Sequence, residues 1–311
     1  MASDRPLPGA GAFTFERDAL ALPPGATART ARTVLAHDGQ PVLAFTQGPY
    51  RPCLHPVFTP AGYPVTAERP ADHPHHAGVW IAAERVTWRA AGGPDEAHTY
   101  NFYVDEVFQG RAPGHIVERS VEFGQEAGTA CVAQVLEWRG PGEWGAPEGR
   151  AILSERRTTR VTRGGAQTVI DVVSALRAAH GTVTIGPTRH AWFNVRVADR
   201  MSLGGAGTIV DSRGRRGGEA VSGEGAEWVQ YAGPVGGGAE ASVTVLAAPG
   251  SGGAWFAADW GVLTVGPFRS AAGSIEPGSE RSLHYRIVVR DGPENAAAAA
   301  ADHRAFPGSE P

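Results

Sequence analysis

Glycine and proline interrupt this chain so often that few helices of ordinary length can form. The 311 residues include 42 glycines and 24 prolines, and both residue types favour turns. Between them lie short apolar or alternating runs, and the run Thr168–Leu176 has the β-branched enrichment of a strand. Helical periodicity is absent, and no fixed repeat indicates a propeller. The pattern predicts an all-β fold, a large antiparallel sandwich or barrel.

The turn-rich segments 139–149 and 232–238 are short and show no change of composition, so we interpret them as hairpin loops within one domain. We predict a single β domain over residues 1–291, with a loose lead-in at 1–10. Residues 292–311 contain an alanine run and are predicted to form a C-terminal tail or a short helix.

Composition excludes several classes of partner. The net charge is −4 and no run of Lys or Arg is present, so nucleic acid is not an expected partner. No apolar run reaches the length of a membrane span, and the N-terminus lacks the apolar core of a signal peptide. The two cysteines form no CxxC pattern. We therefore expect a cytoplasmic protein that does not bind membranes; the sequence indicates nothing about its oligomeric state.

Histidines concentrate in one stretch, where His73, His75 and His76 lie within four residues and His55 lies a short way upstream. Imidazole can act as acid, base or metal ligand near neutral pH. Pro74 biases His73 toward extended backbone, and the stretch then enters a strand that contains Trp80. The alternative to a functional site is a solvated turn that is rich in histidine by chance.

Two kinds of chemistry fit these histidines. In one, a distant histidine and one of His75 and His76 form an acid–base pair on a sugar, while Arg51 binds a hydroxyl or carboxylate through its forked guanidinium. His55, Asp72 and Trp80 are further candidates for substrate binding. In the other, a divalent metal is held by His73 and His75, since residues two apart on an extended chain share a face. A metal and no cofactor at all remain equally open.

A second cluster follows in the segment 188–195, in which His190, Trp192 and Asn194 alternate with apolar residues. Alternation puts these three on one face of a strand. An aromatic ring can cover the C–H face of a sugar, and His and Asn can bond its hydroxyls. The alternative is a half-exposed strand that carries a chance histidine.

This second segment resembles the Thr-x-His-x-Tyr-Phe-Asn-Leu signature of galactose mutarotases, the aldose 1-epimerases, whose fold is a large antiparallel β-supersandwich. The resemblance implies that His190 is the general acid and that His76, near Gly78, helps to bind the sugar. The mutarotase base is a glutamate late in the chain, whereas the comparable strand here offers Thr264. Glu155, within a charged strand pattern, is the candidate for the missing carboxylate.

A broader resemblance covers nearly the whole chain. The order of the motifs around Arg51, Asp72, Glu155, His190 and the segment 210–216 is similar to a bacterial family labelled "methane oxygenase PmoA". The methane oxygenase itself is a membrane complex, and this chain has no spanning segment. The resemblance therefore implies a fold and a sugar-like substrate rather than the labelled reaction.

The sequence thus predicts an enzyme that isomerises, epimerises or eliminates from a sugar or sugar-like small molecule by histidine acid–base chemistry. The alternatives are a metal-dependent oxidoreductase or lyase that uses the histidines between 55 and 76, and a carbohydrate-binding module without activity. The acid–base prediction requires His190 to share a cleft with at least one of those histidines.

Overall fold

The protein is built almost entirely from β-strands. The computed structural model describes residues 12–18, 31–90, 96–178 and 180–306; the predicted lead-in at 1–10 lies outside these ranges. Among the described residues, strands account for 57% and helices for 7%. This confirms the predicted all-β fold.

The strands, in chain order, are β1 (Phe13–Asp18), β2 (Ala31–His37), β3 (Gln40–Gln47), β4 (Pro52–Val57), β5 (Val79–Ala83), β6 (Val86–Arg89), β7 (Ala97–Asn101), β8 (Ala112–Pro113), β9 (His115–Glu126), β10 (Thr129–Arg139), β11 (Ala151–Gly164), β12 (Gln167–Ala178), β13 (Thr182–Ile185), β14 (Ala191–Arg196), β15 (Thr208–Asp211), β16 (Trp228–Gly236), β17 (Ala239–Ala247), β18 (Phe256–Ala258), β19 (Val262–Val265), β20 (Gly273–Ile275) and β21 (Glu280–Asp291). Two short helices are α1 (Gly218–Val221) and α2 (Ala296–Arg304), and two 3₁₀ turns cover Asp199–Met201 and Leu203–Gly205.

The strands form three sheets. The first has the order β1-β2-β3-β4-β5-β14-β19-β18, the second β15-β16-β17-β21-β12-β11-β10-β9, and the third β20-β13-β6-β7-β8. Neighbouring strands are antiparallel, apart from the short parallel pair β7–β8. The predicted fold class, an all-β chain of large antiparallel sheets, is confirmed.

The main core lies between the two large sheets. Side chains of β12 alternate between buried and partly exposed, as expected for a strand with one face on a core. Across the interior, Phe193 of β14 stacks on Tyr285 of β21 with ring centroids 4.4 Å apart. The same cluster also takes in residues of the third sheet, such as Val183 and Ile185, so one continuous core joins all three sheets.

The first sheet is buried on both faces near its middle, and this determines where a site can form. All five residues of β5 are buried. Val79 and Ile81 belong to the main core, whereas Trp80 and Ala82 belong to a second cluster with Tyr103, Phe256 and Val262. This second cluster lies on the opposite face of the sheet, and three of its members, Tyr103, Phe256 and Val262, line a cleft.

The C-terminal segment packs on the second sheet. Asn295 caps α2 by accepting a hydrogen bond from the amide of Ala298. Ala299 and Phe306 are buried with Trp228 and Val288 in a third cluster. In the described part of the chain, no helix is long and apolar enough to cross a membrane.

Candidate functional site

The cleft over the second cluster has a volume of about 560 Å³. Clefts of roughly 300–1,000 Å³ usually suffice for small-molecule ligands, so this one has room for a sugar. Its lining comes from segments 73–76, 84–85, 103–111, 187–190 and 256–262. His190 and three of the four upstream histidines therefore lie in one cleft, as predicted.

Two neighbouring strands bring Glu84 and His190 together. Strand β5 pairs with β14 in an antiparallel register that puts Ala83 opposite Ala191. Glu84 is the residue after β5, and His190 is the residue before β14. Continuing the same register by one position puts these two residues opposite each other. Residues opposite one another on an antiparallel pair are within reach of each other, so the register itself creates this contact.

The histidine stretch is a turn rather than the predicted extended segment. The amide of His76 donates to the carbonyl of His73 at 3.0 Å, with Pro74 at the second position of the turn, where its fixed φ fits. The turn gathers the rings that an extended chain would have separated. Gly78 follows with φ +63°, and a Cβ atom there would meet the carbonyl oxygen of Leu54 at 2.4 Å.

Six aromatic rings form a closed circle around the cleft. In order they are His73, Trp260, Phe256, His190, Tyr103 and His76, and the centroids of adjacent rings lie 4.7–6.1 Å apart. His73 is stacked between His76 and Trp260, with interplanar angles of 11° and 6°. The indole of Trp260 is 39% exposed, so it offers an aromatic face to a ligand.

Asp72 and His73 form one carboxylate–imidazole pair. The Nδ1 atom of His73 lies 2.9 Å from a carboxylate oxygen of Asp72, and Arg196 donates to both oxygens of Asp72 at 3.0 and 3.1 Å. Partial burial opposes ionisation of Asp72, but the bonds from His73 and Arg196 outweigh it and lower its pKa to about 2. Asp72 itself faces a neighbouring surface groove. It therefore orients His73 rather than contacting a ligand in the cleft.

Glu84 and His190 form the second pair. The Nδ1 atom of His190 lies 3.6 Å from a carboxylate oxygen of Glu84, an ion-pair distance. The interaction with His190 lowers the pKa of Glu84 against the opposing effect of burial. On the other side of the ring, the Nε atom of Arg189 donates to Nε2 of His190 at 3.1 Å. Arginine is always a donor, so Nε2 carries the lone pair and Nδ1 the proton.

His75 and His76 line the cleft but are held neutral. Burial, with the charge of Arg51, lowers the pKa of His75 to about 4. Burial and the neighbouring histidines lower the pKa of His76 to about 2, and its Nε2 atom lies 3.2 Å from the hydroxyl of Tyr103. Burial raises the pKa of that hydroxyl. Weakly basic imidazoles are poor proton donors or acceptors near neutral pH, which favours His73 over both as the partner of His190.

Two predicted ligand-binding residues serve the structure around the cleft instead. Arg51 is buried, and its three donor groups go to the carbonyls of Phe102 and His75 and to the carboxylate of Asp105. It fixes the histidine turn against the 102–105 segment. His55 is outside the cleft, where Nδ1 lies 3.0 Å from the hydroxyl of Thr66, and burial lowers its pKa to about 4.

The predicted polar face of β14 is buried too. Trp192 is inaccessible to solvent and stacks on Trp138 at 5.1 Å. Asn194 donates to two backbone carbonyls and accepts from Thr264 at 2.8 Å. Trp80 lies beneath His76, with ring centroids 5.1 Å apart, and is 1% exposed. None of these side chains lines the cleft, because both faces of the sheet are covered here.

Glu155 is buried between the sheets, away from the cleft. Its carboxylate accepts hydrogen bonds from Trp138, from Ser174 and twice from Arg157, at 2.7–3.0 Å. The carboxylate predicted to be catalytic thus belongs to an internal ion pair, and the carboxylates that line the cleft are those of Glu84 and Glu106.

The predicted metal ligands His73 and His75 have ring centroids 5.8 Å apart. Nδ1 of His73 is directed to Asp72. Across the described ranges, no group of three or more His, Cys, Asp or Glu side chains is arranged to hold a metal ion.

Sequence reasoning assigned no role to Glu84, Tyr103 or Arg189. Glu84 carried a usable signal, because it is the carboxylate that directly ends the strand following the histidine turn. Tyr103 and Trp260 come from segments that only the tertiary fold brings to the cleft.

The family model described as a family of unknown function, DUF6807, matches residues 32–304. A search of curated proteins gives no match. Similar solved structures include two described as "putative aldose 1-epimerase". The one from Klebsiella pneumoniae is 10% identical and covers 95% of this chain and 87% of its own, with a TM-score of 0.42. The one from Escherichia coli K12 is 8% identical and covers 91% and 100%, with a TM-score of 0.35.

A Synechocystis protein is 11% identical over 86% of this chain and 93% of its own, with a TM-score of 0.32. Structural similarities at this level do not assign a reaction. None of these findings supports the resemblance to the family labelled methane oxygenase, which stays a prediction.

Proposed function

The chain belongs to the family of unknown function DUF6807, and we propose that it is an enzyme acting on a sugar or sugar-like small molecule by proton transfer between two histidines. One observation carries the proposal. Of the four imidazoles in the cleft, two, those of His73 and His190, have a carboxylate beside the Nδ1 atom.

His190 is the proposed base. Its Nδ1 atom bears the proton and faces Glu84, so the lone pair on Nε2 is available to a ligand that displaces Arg189. A carboxylate behind the ring fixes the tautomer and stabilises the imidazolium that forms when Nε2 takes up a proton. This is the arrangement that a histidine base requires.

His73 is the proposed partner. Asp72 binds its Nδ1 atom, and the stack between His76 and Trp260 fixes its ring. Its side chain is 32% exposed, so protons can exchange with solvent. An acid and a base on separate elements around one cleft can act on opposite sides of a bound ring.

The lining suits a sugar because it combines aromatic faces with polar atoms. Trp260, Phe256 and Tyr103 offer apolar ring surface, which can cover C–H groups. Two lining side chains also have a buried polar atom without a partner in the described part of the chain, Nδ1 of His76 and Oγ1 of Thr188. Unsatisfied buried groups cost about 1–3 kcal/mol each, and sugar hydroxyls or water could bond them.

The two histidines can carry out isomerisation, epimerisation or elimination. In each case His190 removes a proton from an O–H or C–H group of the substrate. His73 then donates a proton to the ring oxygen, to the opposite face of the carbon, or to a leaving hydroxyl, which departs as water. Proton transfer of this kind accelerates a reaction by about 10²–10⁴-fold.

A second candidate function is sugar binding without turnover. The observation in its favour is the hydrogen bond from Arg189 to Nε2 of His190, which occupies the proposed base in the unliganded protein. A protein that only binds sugar would have no need to release this bond.

Proton NMR in D₂O with a panel of aldoses, ketoses and sugar acids tests the proposal. Faster interchange of anomers, loss of a C–H signal, or a new alkene signal would identify ring opening, carbon-acid chemistry or elimination, respectively. The reaction should proceed in the His98→Gln control, because His98 pairs with Glu96 on the surface, outside the cleft. If sugars bind but no spectrum changes faster than it does in buffer alone, the result would support sugar binding without turnover and refute the enzymatic function.

A further inference from the structure

We propose that the ligand of this cleft is an acidic sugar, bearing a carboxylate or a phosphate, and that Arg189 binds its anionic group. This inference rests on the proposed function, because it specifies the substrate class of the same site. It depends on arginine side chains that the acid–base chemistry itself does not use.

Two guanidinium groups meet at the ring of Phe256. Arg189 lies 4.9 Å and Arg269 5.5 Å from the ring centroid, and Arg269 donates to the backbone carbonyl of Arg189 at 3.2 Å. Phe256 and Arg189 both line the cleft. Two cations sharing one ring repel each other unless an anion lies between them.

Neither cation has an acidic partner within ion-pair distance among the described residues. Other arginines near the cleft do: Arg51 pairs with Asp105, and Arg111 lies 3.5 Å from Glu84. Glu84 is close enough for Arg189 to contribute to its lowered pKa, but it is already shared between Arg111 and His190. The charge of Arg189 is therefore not locally neutralised.

A third arginine adds to the positive potential. Arg85 lines the cleft and is exposed, and it has no ion pair within the described ranges. The backbone carbonyl of Arg85 accepts a hydrogen bond from the amide of Gly186 at 2.9 Å. Arg85 therefore lies beside the segment that carries Arg189. Clustered arginines with a low-dielectric wall favour carboxylate or phosphate, which guanidinium binds through two parallel hydrogen bonds.

The position of Arg189 couples anion binding to catalysis. Its Nε atom donates to the lone pair of His190, so the base is free only when this bond breaks. An anionic group of the substrate offers Arg189 a stronger, charge-assisted acceptor than a neutral imidazole. Binding of an acidic sugar would thus release Nε2 of His190, whereas a neutral sugar would leave it occupied.

The test is to titrate the protein with glucose, glucuronate, glucose 6-phosphate and inorganic phosphate, following heat or tryptophan fluorescence. We expect at least one of the two acidic sugars to bind at least tenfold more tightly than glucose, and the better one identifies the anion. In Arg189→Gln this preference should disappear, and in the control Arg156→Gln it should remain, because Arg156 is exposed on the second sheet beside Glu280.

Several outcomes would overturn the inference: equal affinity for glucose and both acidic sugars, a preference that survives Arg189→Gln, or inorganic phosphate binding as tightly as glucose 6-phosphate. Turnover of glucose without any preference for acidic sugars would overturn this inference and leave the proposed function standing. An acidic-sugar preference that depends on Arg189, without turnover of any sugar, would support the inference and refute the acid–base function.

Discussion

Replacing Glu155 by alanine separates the structural role of this carboxylate from a catalytic one. The side chain is inaccessible to solvent, and Arg157 beside it is 6% exposed. Removal of the carboxylate leaves the guanidinium of Arg157 buried without its partner and deprives Trp138 and Ser174 of an acceptor.

Breaking a buried ion pair from one side costs about 3–5 kcal/mol. The additional orphaned donors lie in the same network, so their costs do not simply add. We therefore expect Glu155→Ala to lower the free energy of unfolding by about 3–5 kcal/mol. At roughly 2 °C per kcal/mol for a large domain, the Tm should fall by about 6–10 °C.

Urea unfolding and calorimetry measure this change, with sugar turnover measured on the folded fraction. The matched control is Arg156→Ala, since the neighbouring residue makes an exposed pair with Glu280 and should cost less than about 1 kcal/mol. We expect turnover per folded molecule to be unaffected in both variants. A Glu155→Ala protein of normal stability that has lost turnover would refute our assignment and restore Glu155 as a catalytic carboxylate.

Three further predictions concern the cleft and the buried histidines. Glu84→Gln should lower turnover by at least about tenfold with little change in Tm; unchanged turnover would remove the carboxylate from the mechanism. Trp260→Ala should weaken sugar binding by about 1 kcal/mol, roughly fivefold. The control Trp144→Ala, at a fully exposed site, should leave the affinity unchanged in the same titration. Equal losses of affinity in the two variants would exclude stacking of the sugar on Trp260. Burial holds the pKa of His55 at about 4 and that of His76 at about 2, below the ordinary 6.5. Below pH 6.5 the unfolded chain therefore binds more protons than the folded protein. As the pH falls from about 6.5 to 4, the free energy of unfolding should decrease by up to about 1.4 kcal/mol per pH unit for each of these two histidines. Equal free energies of unfolding from urea denaturation at pH 7.5, 6 and 5 would contradict this.

The fold class could be predicted because its signals are local. Turn residues and strand-length runs follow from backbone preferences within a few residues, and the strand predicted within the segment 188–195 appears as β14 over Ala191–Arg196. Which faces of a sheet are covered is not local. Alternation gave Trp192 and Asn194 an open face, but Trp192 packs on Trp138 in the main core, and Asn194 is buried and bonded to Thr264.

The site could be predicted only in part for the same reason. The histidine turn and His190 stood out as chemistry-bearing residue types, and the structure brings them into one cleft. Their carboxylate partners depend on pairing between distant segments: Glu84 reaches His190 only because β5 and β14 are neighbours. Glu155 looked equally suitable in the sequence, and its burial among Trp138, Arg157 and Ser174 is a property of the second sheet.

Proton transfer by His190 is tested most directly by the turnover of the His190→Gln variant. Glutamine keeps roughly the size of the ring and one hydrogen bond but cannot exchange a proton near neutral pH. With the substrate that NMR identifies, we expect an unchanged Tm and an affinity that changes by no more than one hydrogen bond, roughly 0.5–1.5 kcal/mol. Turnover should fall by about two to four orders of magnitude. Turnover equal to that of the wild type would show that His190 does not transfer the proton.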